Sequence, residues 1–360
     1  MRRNHRAAPR TMPVYPSEEV VIELPPTIPT RSNQPTWIMI LQIFGMLGGM
    51  SGAIAYTFIN KNNANNPLWW VPLLSGLMMM ASIGSIFQNL LEPRRFKRNL
   101  AQREKDYRAY LADQLVFIDT LAETQRREYE NVHPSIDECL AICADAQTRQ
   151  PSPRMWERWR SNDGVKDFLH CRVGVGRIPA TYRVRPAQNP SRSLTADVLV
   201  QELLNLVNAA KTVPSAAVTV PLPNIGVLGI TGDGSENVLR AIVVHMVTHH
   251  SPADVKLSLA INSNQLAHWT WVRWLPHIWN DNQTRRMIAT THDDVSTQIE
   301  QLVSLIQQRS EQMREKSSNA EFMGIAHVAC FIDIEAFVQR EDIFRKFMYV
   351  LNNGALVGVY

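Results

Sequence analysis

The residues with the clearest chemical potential lie in one stretch, Gly226 to Arg240 (GVLGITGDGSENVLR). A short apolar run leads into glycines at 229, 232 and 234 and then into a helical pattern. Gly229 and Gly234 stand five apart, as the two glycines of G-x-x-x-x-G-K-[ST] do, a turn that wraps phosphates with backbone amides at a helix N-terminus. That motif uses its lysine to neutralise the phosphates and its hydroxyl to bind magnesium. Here Ser235 stands where lysine belongs and Glu236 where the hydroxyl belongs. A carboxylate at that place repels a triphosphate when no cation intervenes. The segment therefore predicts the shape of a phosphate loop without its chemistry, and no catalytic residue is expected in it. The plainer reading of the same glycines is a tight strand-to-helix connection.

A second candidate is His327 to Glu335 (HVACFIDIE), an apolar strand ending in Asp333 with Glu335 two residues on. An acid at the end of such a strand holds the metal of a nucleotide site, and a neighbouring carboxylate orients water. The two acids of a working site are usually adjacent; here Ile334 separates them, which in an alternating strand puts both on one side with altered reach. Other groups read more blandly. Cys139 with Cys143 are small core hydrophobes, because no second ligand pair has zinc spacing. His245 and His249 lack a third ligand, so no metal is expected. Trp269, Trp271, Trp274 and Trp279 crowd into HWTWVRWLPHIWND with only Arg273 among them, a packed lobe or protein-contact surface rather than a base-stacking platform.

The elements that must position these residues follow from periodicity. Apolar runs at 217–220, 226–230, 255–261, 328–332 and 355–360 alternate with helical patterns at about 236–250, 293–315 and 336–351. Such alternation predicts a mainly parallel sheet flanked by helices. Upstream, Leu100, Tyr107, Leu111, Leu115, Ile118 and Leu121 recur by threes and fours in a charge-dense stretch, one amphipathic helix. His133-Pro134-Ser135 breaks it, and Ser135 with Glu138 makes a capping-box pattern for a second helix. Together they read as a helical stalk over 92–150.

Residues 37–59 and 67–91 carry no formal charge, and each clears the ~20 residues that cross a hydrocarbon core. Trp37, Tyr56, Trp69 and Trp70 sit where interfacial aromatics lie, and Gly45, Gly48, Gly49 and Gly52 have the spacing of close helix packing. The loop 60–66 between them is short and Asn-rich, whereas Arg94, Arg95, Lys97, Arg98, Arg103 and Lys105 follow the second run. The positive-inside rule then predicts a multi-pass protein of the cell membrane with both termini cytoplasmic. The expected fold is membrane-anchored α/β: an arm at 1–36, two transmembrane helices, the stalk, and a P-loop-like parallel-sheet domain with a degenerate nucleotide site over 151–360. Its end on a strand reads as a truncation of that domain. The bulk composition limits the rest. Lys and Arg total 37 against 33 Asp and Glu, a net charge of +4 over 360 residues, too small to imply nucleic-acid binding. Hydrophobic content of 45% with 19% charged residues excludes a chain that is apolar throughout. Four scattered cysteines make no disulfide framework, which reads as a reducing compartment.

Two apolar runs, a charged stalk, DFLHCRVGVG (Asp167 to Gly176), the lysine-less loop and WTWVRWLPH (Trp269 to His277), in that order, resemble the EccC/EssC family of FtsK/SpoIIIE-type ATPases in type VII secretion. The resemblance runs from Pro35 to Tyr360. It implies a protein-export motor whose first ATPase-like domain is degenerate and whose ATP- and Mg-dependent modules lie beyond residue 360. By position it assigns Gly229, Gly232, Gly234, Ser235 and Glu236 to the degenerate loop and Asp333 to the metal-holding acid. It implies as partners the membrane, other membrane subunits of the secretion complex, secreted substrates reached through downstream modules, and further copies of the chain. DNA is not an expected partner. The rivals are an FtsK-like DNA translocase, which needs an intact lysine loop and a basic surface, and a free-standing two-span scaffold with no motor.

Overall fold

In a computed structural model the protein is described for residues 10, 12–28, 36–59, 71–145, 147–159, 167–188, 197–315, 325–337 and 340–360. In chain order the elements are β1 (Glu19–Ile22), α1 (Thr36–Ile59), α2 (Val71–Val132), α3 (Ile136–Cys143), β2 (His170–Pro179), β3 (Arg183–Pro186), α4 (Val198–Ala209) and β4 (Thr212–Pro221). They continue as α5 (Leu222–Ile225), α6 (Ser235–His249), β5 (Val255–Ala260), α7 (Leu266–Trp269), β6 (Ile288–Ala289), α8 (His292–Glu315), β7 (His327–Ile332), α9 (Ile334–Phe337) and α10 (Glu341–Asn353). The chain divides into two compact units, one of Met1–Glu18, Thr120–Arg183 and Lys211–Tyr360, the other of Glu19–Asp119 and Val184–Ala210.

Among the described residues no helix is long and apolar enough to cross a membrane. That overturns the expected spans at 37–59 and 67–91, and with them the cell-membrane localisation and the membrane-anchored fold. The second apolar run is not a separate element: it opens the 62-residue helix α2, which continues through Pro93 into the dense charge that begins at Arg94. The first run lies in α1, Thr36–Ile59. The expected loop 60–66 and the aromatics Trp69 and Trp70 lie outside the described residues.

In the smaller unit, β1 pairs with β3 and alternates exposed with buried residues, Val20 and Ile22 facing in. Tyr107 and Leu111, one turn apart on α2, are buried as well. The Tyr107 hydroxyl donates to the Glu23 carbonyl at 2.8 Å, and Arg103 Nε donates to the Pro26 carbonyl at 2.7 Å, fixing the chain that follows β1. Asp197 caps α4 by accepting from the Leu199 N–H at 3.1 Å, and it also takes an ion pair from Arg103. Leu199, Val200, Leu203 and Val207 then form the buried stripe of that helix.

The larger unit holds the parallel sheet, in the order β6-β5-β7. Leu257 and Leu259 face one core with Ile242, Val243 and Met246 of α6. On the other face Ala260, Val328 and Ala289 meet Val295, Ile299 and Ile306 of α8 and Ile343, Phe347 and Val350 of α10. Fully burying one such aliphatic side chain contributes about 1.5–3 kcal/mol, so the two cores dominate the stability of this unit. Val359 bridges to Val328 in parallel and extends the sheet beside β7. Separately, β2 and β4 form a long antiparallel ribbon with two register shifts, and α6 packs against β2 and α3. Ser135 caps α3 in a full capping box with Glu138.

Three expected strands come out differently. Residues 217–220 lie in β4, outside the parallel sheet. Residues 226–230 form no strand: they leave α5 through Gly226 at φ 74°, and Leu228 and Ile230 pack on the core without a ladder. The stretch 355–360 begins as a 3-10 turn, Ala355–Val357, and contributes only its last residues to the sheet.

Candidate functional site

The glycine turn ends on Gly234, which caps α6 in a left-handed conformation (φ 82°), two residues after Gly232 at φ 98°. L side chains rarely adopt such φ values, which accounts for glycine at both places. The Ser235 N–H bonds the Gly232 carbonyl at 3.2 Å and the Asn237 N–H bonds the Gly234 carbonyl at 2.9 Å, so the turn is closed on itself. A Cβ built on Gly229, Gly232 or Gly234 meets nothing within 4 Å, so packing does not demand glycine at any of the three.

Opposite the turn, the loop that leaves β5 supplies His268, whose Nδ1 lies 3.1 Å from Oε1 of Glu236 in the first turn of α6. The Asp333 N–H donates to the Ala260 carbonyl at 2.9 Å, which sets Asp333 beside the end of β5. These two contacts bring Glu236, His268 and Asp333 to one end of the sheet, outside the carboxyl ends of its parallel strands. Open parallel sheets bind ligands at that end.

The acids do not sit as the strand pattern predicts. β7 ends at Ile332, and Asp333 accepts from the Ala336 N–H at 3.2 Å, so its carboxylate caps the short α9. Glu335 belongs to that helix rather than to the strand, and the two acids share no alternating face. Among the described residues no group of three or more His, Cys, Asp or Glu is arranged to hold a metal ion. Ser235 and Glu236 supply neither the fixed cation nor the magnesium-binding hydroxyl that phosphate chemistry requires at these two positions.

The tryptophan segment is a packed lobe. Trp269 is buried and stacks on Trp271 at 6.3 Å, while Trp271 Nε1 donates to the His268 carbonyl at 3.0 Å. Trp279 carries the Arg286 guanidinium over its ring at 4.6 Å. Only Trp274 of the four stands out, 78% exposed. The lobe thus holds the loop that positions His268, a role its composition did not announce.

His245 and His249 are fully buried on the inner face of α6, beside the buried Arg158. Burial first, and the Arg158 charge second, push both imidazoles well below their ordinary pKa. A guanidinium so close disfavours a bound cation, a second reason against zinc. Arg158 and its neighbours were not legible as a cluster, because they converge from residues 133, 158 and 245–250 and no local spacing links them.

No family model matches the chain. Among curated proteins, the ESX secretion system protein EccC of Thermomonospora curvata is 28% identical over 286 residues, 77% of this chain and 20% of that protein. The ESX secretion system protein YukB of Bacillus subtilis is 25% identical over 275 residues, 76% of this chain and 17% of its own length. The type VII secretion system protein EssC of Staphylococcus aureus is 23% identical over 323 residues, covering 88% and 20%. The chain therefore spans about a fifth of the length of these relatives. A solved structure, the cytoplasmic domain of the type VII secretion ATPase EccC of Thermomonospora curvata, aligns over 56% of this chain and 21% of that one at 16% identity; its TM-score of 0.36 is too low to carry an argument. Over most of its length, the chain is a relative of the EccC, EssC and YukB proteins of type VII secretion, the family that DFLHCRVGVG and WTWVRWLPH point to.

Proposed function

We propose that this chain is a non-hydrolysing coupling part of a type VII secretion ATPase. One observation carries the reading: the turn before α6 keeps its left-handed glycines at 232 and 234, yet the next two positions hold Ser235 and Glu236, and Glu236 is engaged by His268. A site of this kind keeps a fold and its contacts without turning over nucleotide. The relatives' names support the secretion system as the setting. Other components of the secretion complex are its partners, secreted proteins reach it through modules elsewhere in the motor, and ATP with magnesium acts in those modules.

Two measurements test this. The purified chain is expected to show no ATP turnover above background, and turnover abolished by Asp333→Ala would overturn the reading. In the organism that carries it, deletion of the gene is expected to stop export through the secretion system, with rescue by an Asp333→Ala copy. Failure of that copy to rescue, when it folds and accumulates normally, would make the site a working one.

A further inference from the structure

Where α6 meets α3, the larger unit buries a group of imidazoles around one guanidinium. His245 and His249, one turn apart, are 1% and 0% exposed, and their rings pack edge to face at 4.6 Å. His133, just beyond α2, stacks on His245 at 5.9 Å. Arg158 donates to the Val132 carbonyl, to the His170 carbonyl at 3.2 Å and to His133 Nδ1 at 3.3 Å. His245 Nε2 and both ring nitrogens of His249 have no hydrogen-bond partner. Oε1 of Glu157 stands 3.6 Å from His249 Nδ1, beyond hydrogen-bond reach. Next to them Cys143 of α3 touches Thr248 of α6 at 3.4 Å, so this cluster is the seam between the two helices.

The charged and titratable groups facing the pair come from every element around it. The end of α2 brings Tyr129 and His133, α3 brings Cys139 and Cys143, and residues 154–158 bring Arg154, Glu157 and Arg158. The end of α6 brings His250, and behind Arg158 the segment leading into β2 brings Asp167 and His170. The two acids are already engaged, Glu157 with Arg154 at 3.0 Å and Asp167 with Arg10. In the closed state a proton on His245 would lack hydration, and one on His249 would have to share the Glu157 carboxylate with Arg154, each beside a fixed guanidinium. In an opened state the same imidazoles are hydrated and titrate near their ordinary value of about 6.5.

We infer that His245 and His249 form an acid-released latch: neutral, they let α3 and the end of α2 close on α6, and protonated, they open that seam while the parallel sheet stays folded. Linkage sets the sign and the steepness. The open state binds more protons below pH ~6.5, so it gains population as pH falls, with a slope that approaches one decade per pH unit for each imidazole as pH drops well below 6.5.

Hydrogen exchange of the whole chain, corrected for the intrinsic pH dependence of the amides, reads this directly. Between pH 6 and pH 5 the opening constant at residues 136–143 and 245–250 is expected to rise at least ~60-fold, nearly two protons' worth for groups titrating near 6.5, while the amides of α8 change little. A rise of about one decade or less, or a parallel loss of protection in α8, would overturn the latch. The double variant His245→Gln, His249→Gln is expected to keep protection at pH 7.5 and to lose the steep dependence; retained steepness overturns the assignment to these two residues. Should that variant not fold, the profile of the native chain decides.

Discussion

The carboxylate of Glu236 and the imidazole of His268, 3.1 Å apart, join the first turn of α6 to the loop that leaves β5. A negative charge in the first turn of a helix is favourable by about 0.3–1 kcal/mol, and here it comes from the chain itself. The side chain of His268 is 59% exposed, so the pair adds little to stability. Its effect is local: the end of the sheet where an anion would dock already holds a carboxylate.

Restoring phosphate chemistry should therefore need two changes. Ser235→Lys alone supplies the cation but leaves Glu236 in place, and ATP affinity by calorimetry is expected to stay at background. Adding Glu236→Thr removes the repulsion and supplies a hydroxyl for magnesium, and a gain of at least ~10-fold, about 1.4 kcal/mol, is expected. No gain in the double variant would mean that the turn does not have the shape of a phosphate loop.

Gly354 carries a steric rather than a conformational demand. Its backbone is helical, yet a Cβ there would meet the carbonyl oxygens of Val350 and Val359, each at 2.6 Å. Gly354→Ala must push the C-terminal segment off β7, and a loss of about 1–3 kcal/mol in urea unfolding is expected. An unchanged midpoint would show that Val359 does not hold its bridge to Val328.

Core and lobe should respond oppositely to truncation. Leu257 is 0% exposed in the centre of the sheet, and Leu257→Ala is expected to cost about 2–5 kcal/mol. Trp274, though larger, is 78% exposed, and Trp274→Ala is expected to fall within about 0.5 kcal/mol of the native chain. Equal losses by chemical denaturation would contradict the packing described for the tryptophan lobe.

Stability should decline toward acid. Burial pushes His133 down to about 2, His250 to about 3 and His277 to about 4. All three are lowered, so their contribution is fully present above the unfolded value of about 6.5 and is lost as pH falls below it. Within that window each adds up to about 1.4 kcal/mol per pH unit. Denaturant midpoints at pH 7.5, 6.0 and 5.0 should therefore fall in that order; equal midpoints would mean these imidazoles are hydrated in the folded chain.

What the sequence made legible was local. Helices α6 and α8 and strands β5 and β7 follow their periodicity, and the Ser135 and Glu138 spacing is the capping box observed. Gly232 and Gly234 carry the left-handed turn that glycines there suggest. What failed depended on partners. Residues 226–230 have strand composition, but a strand also needs a neighbour for its hydrogen bonds. Asp333 and Glu335 were read on an alternating strand that ends one residue too early for them. The membrane reading rested on charge-free length, flanking aromatics and the basic residues after the second run, and α2 shows how an apolar run can open a much longer, highly charged helix. Arg158 and the histidines around it meet only through tertiary packing, which no spacing rule encodes.

The unladdered stretch 227–230 has a consequence for handling the protein. Val227 is 48% exposed and flanks Gly226, next to Ala355, whose neighbour Leu356 is 77% exposed. An apolar stretch with no ladder among the described residues and an exposed Val227 offers unpaired backbone to the strands of other chains. Self-association should therefore rise with concentration and begin at this margin. A single lysine at Val227 would act as a gatekeeper, keeping the protein monodisperse in light scattering without touching either core.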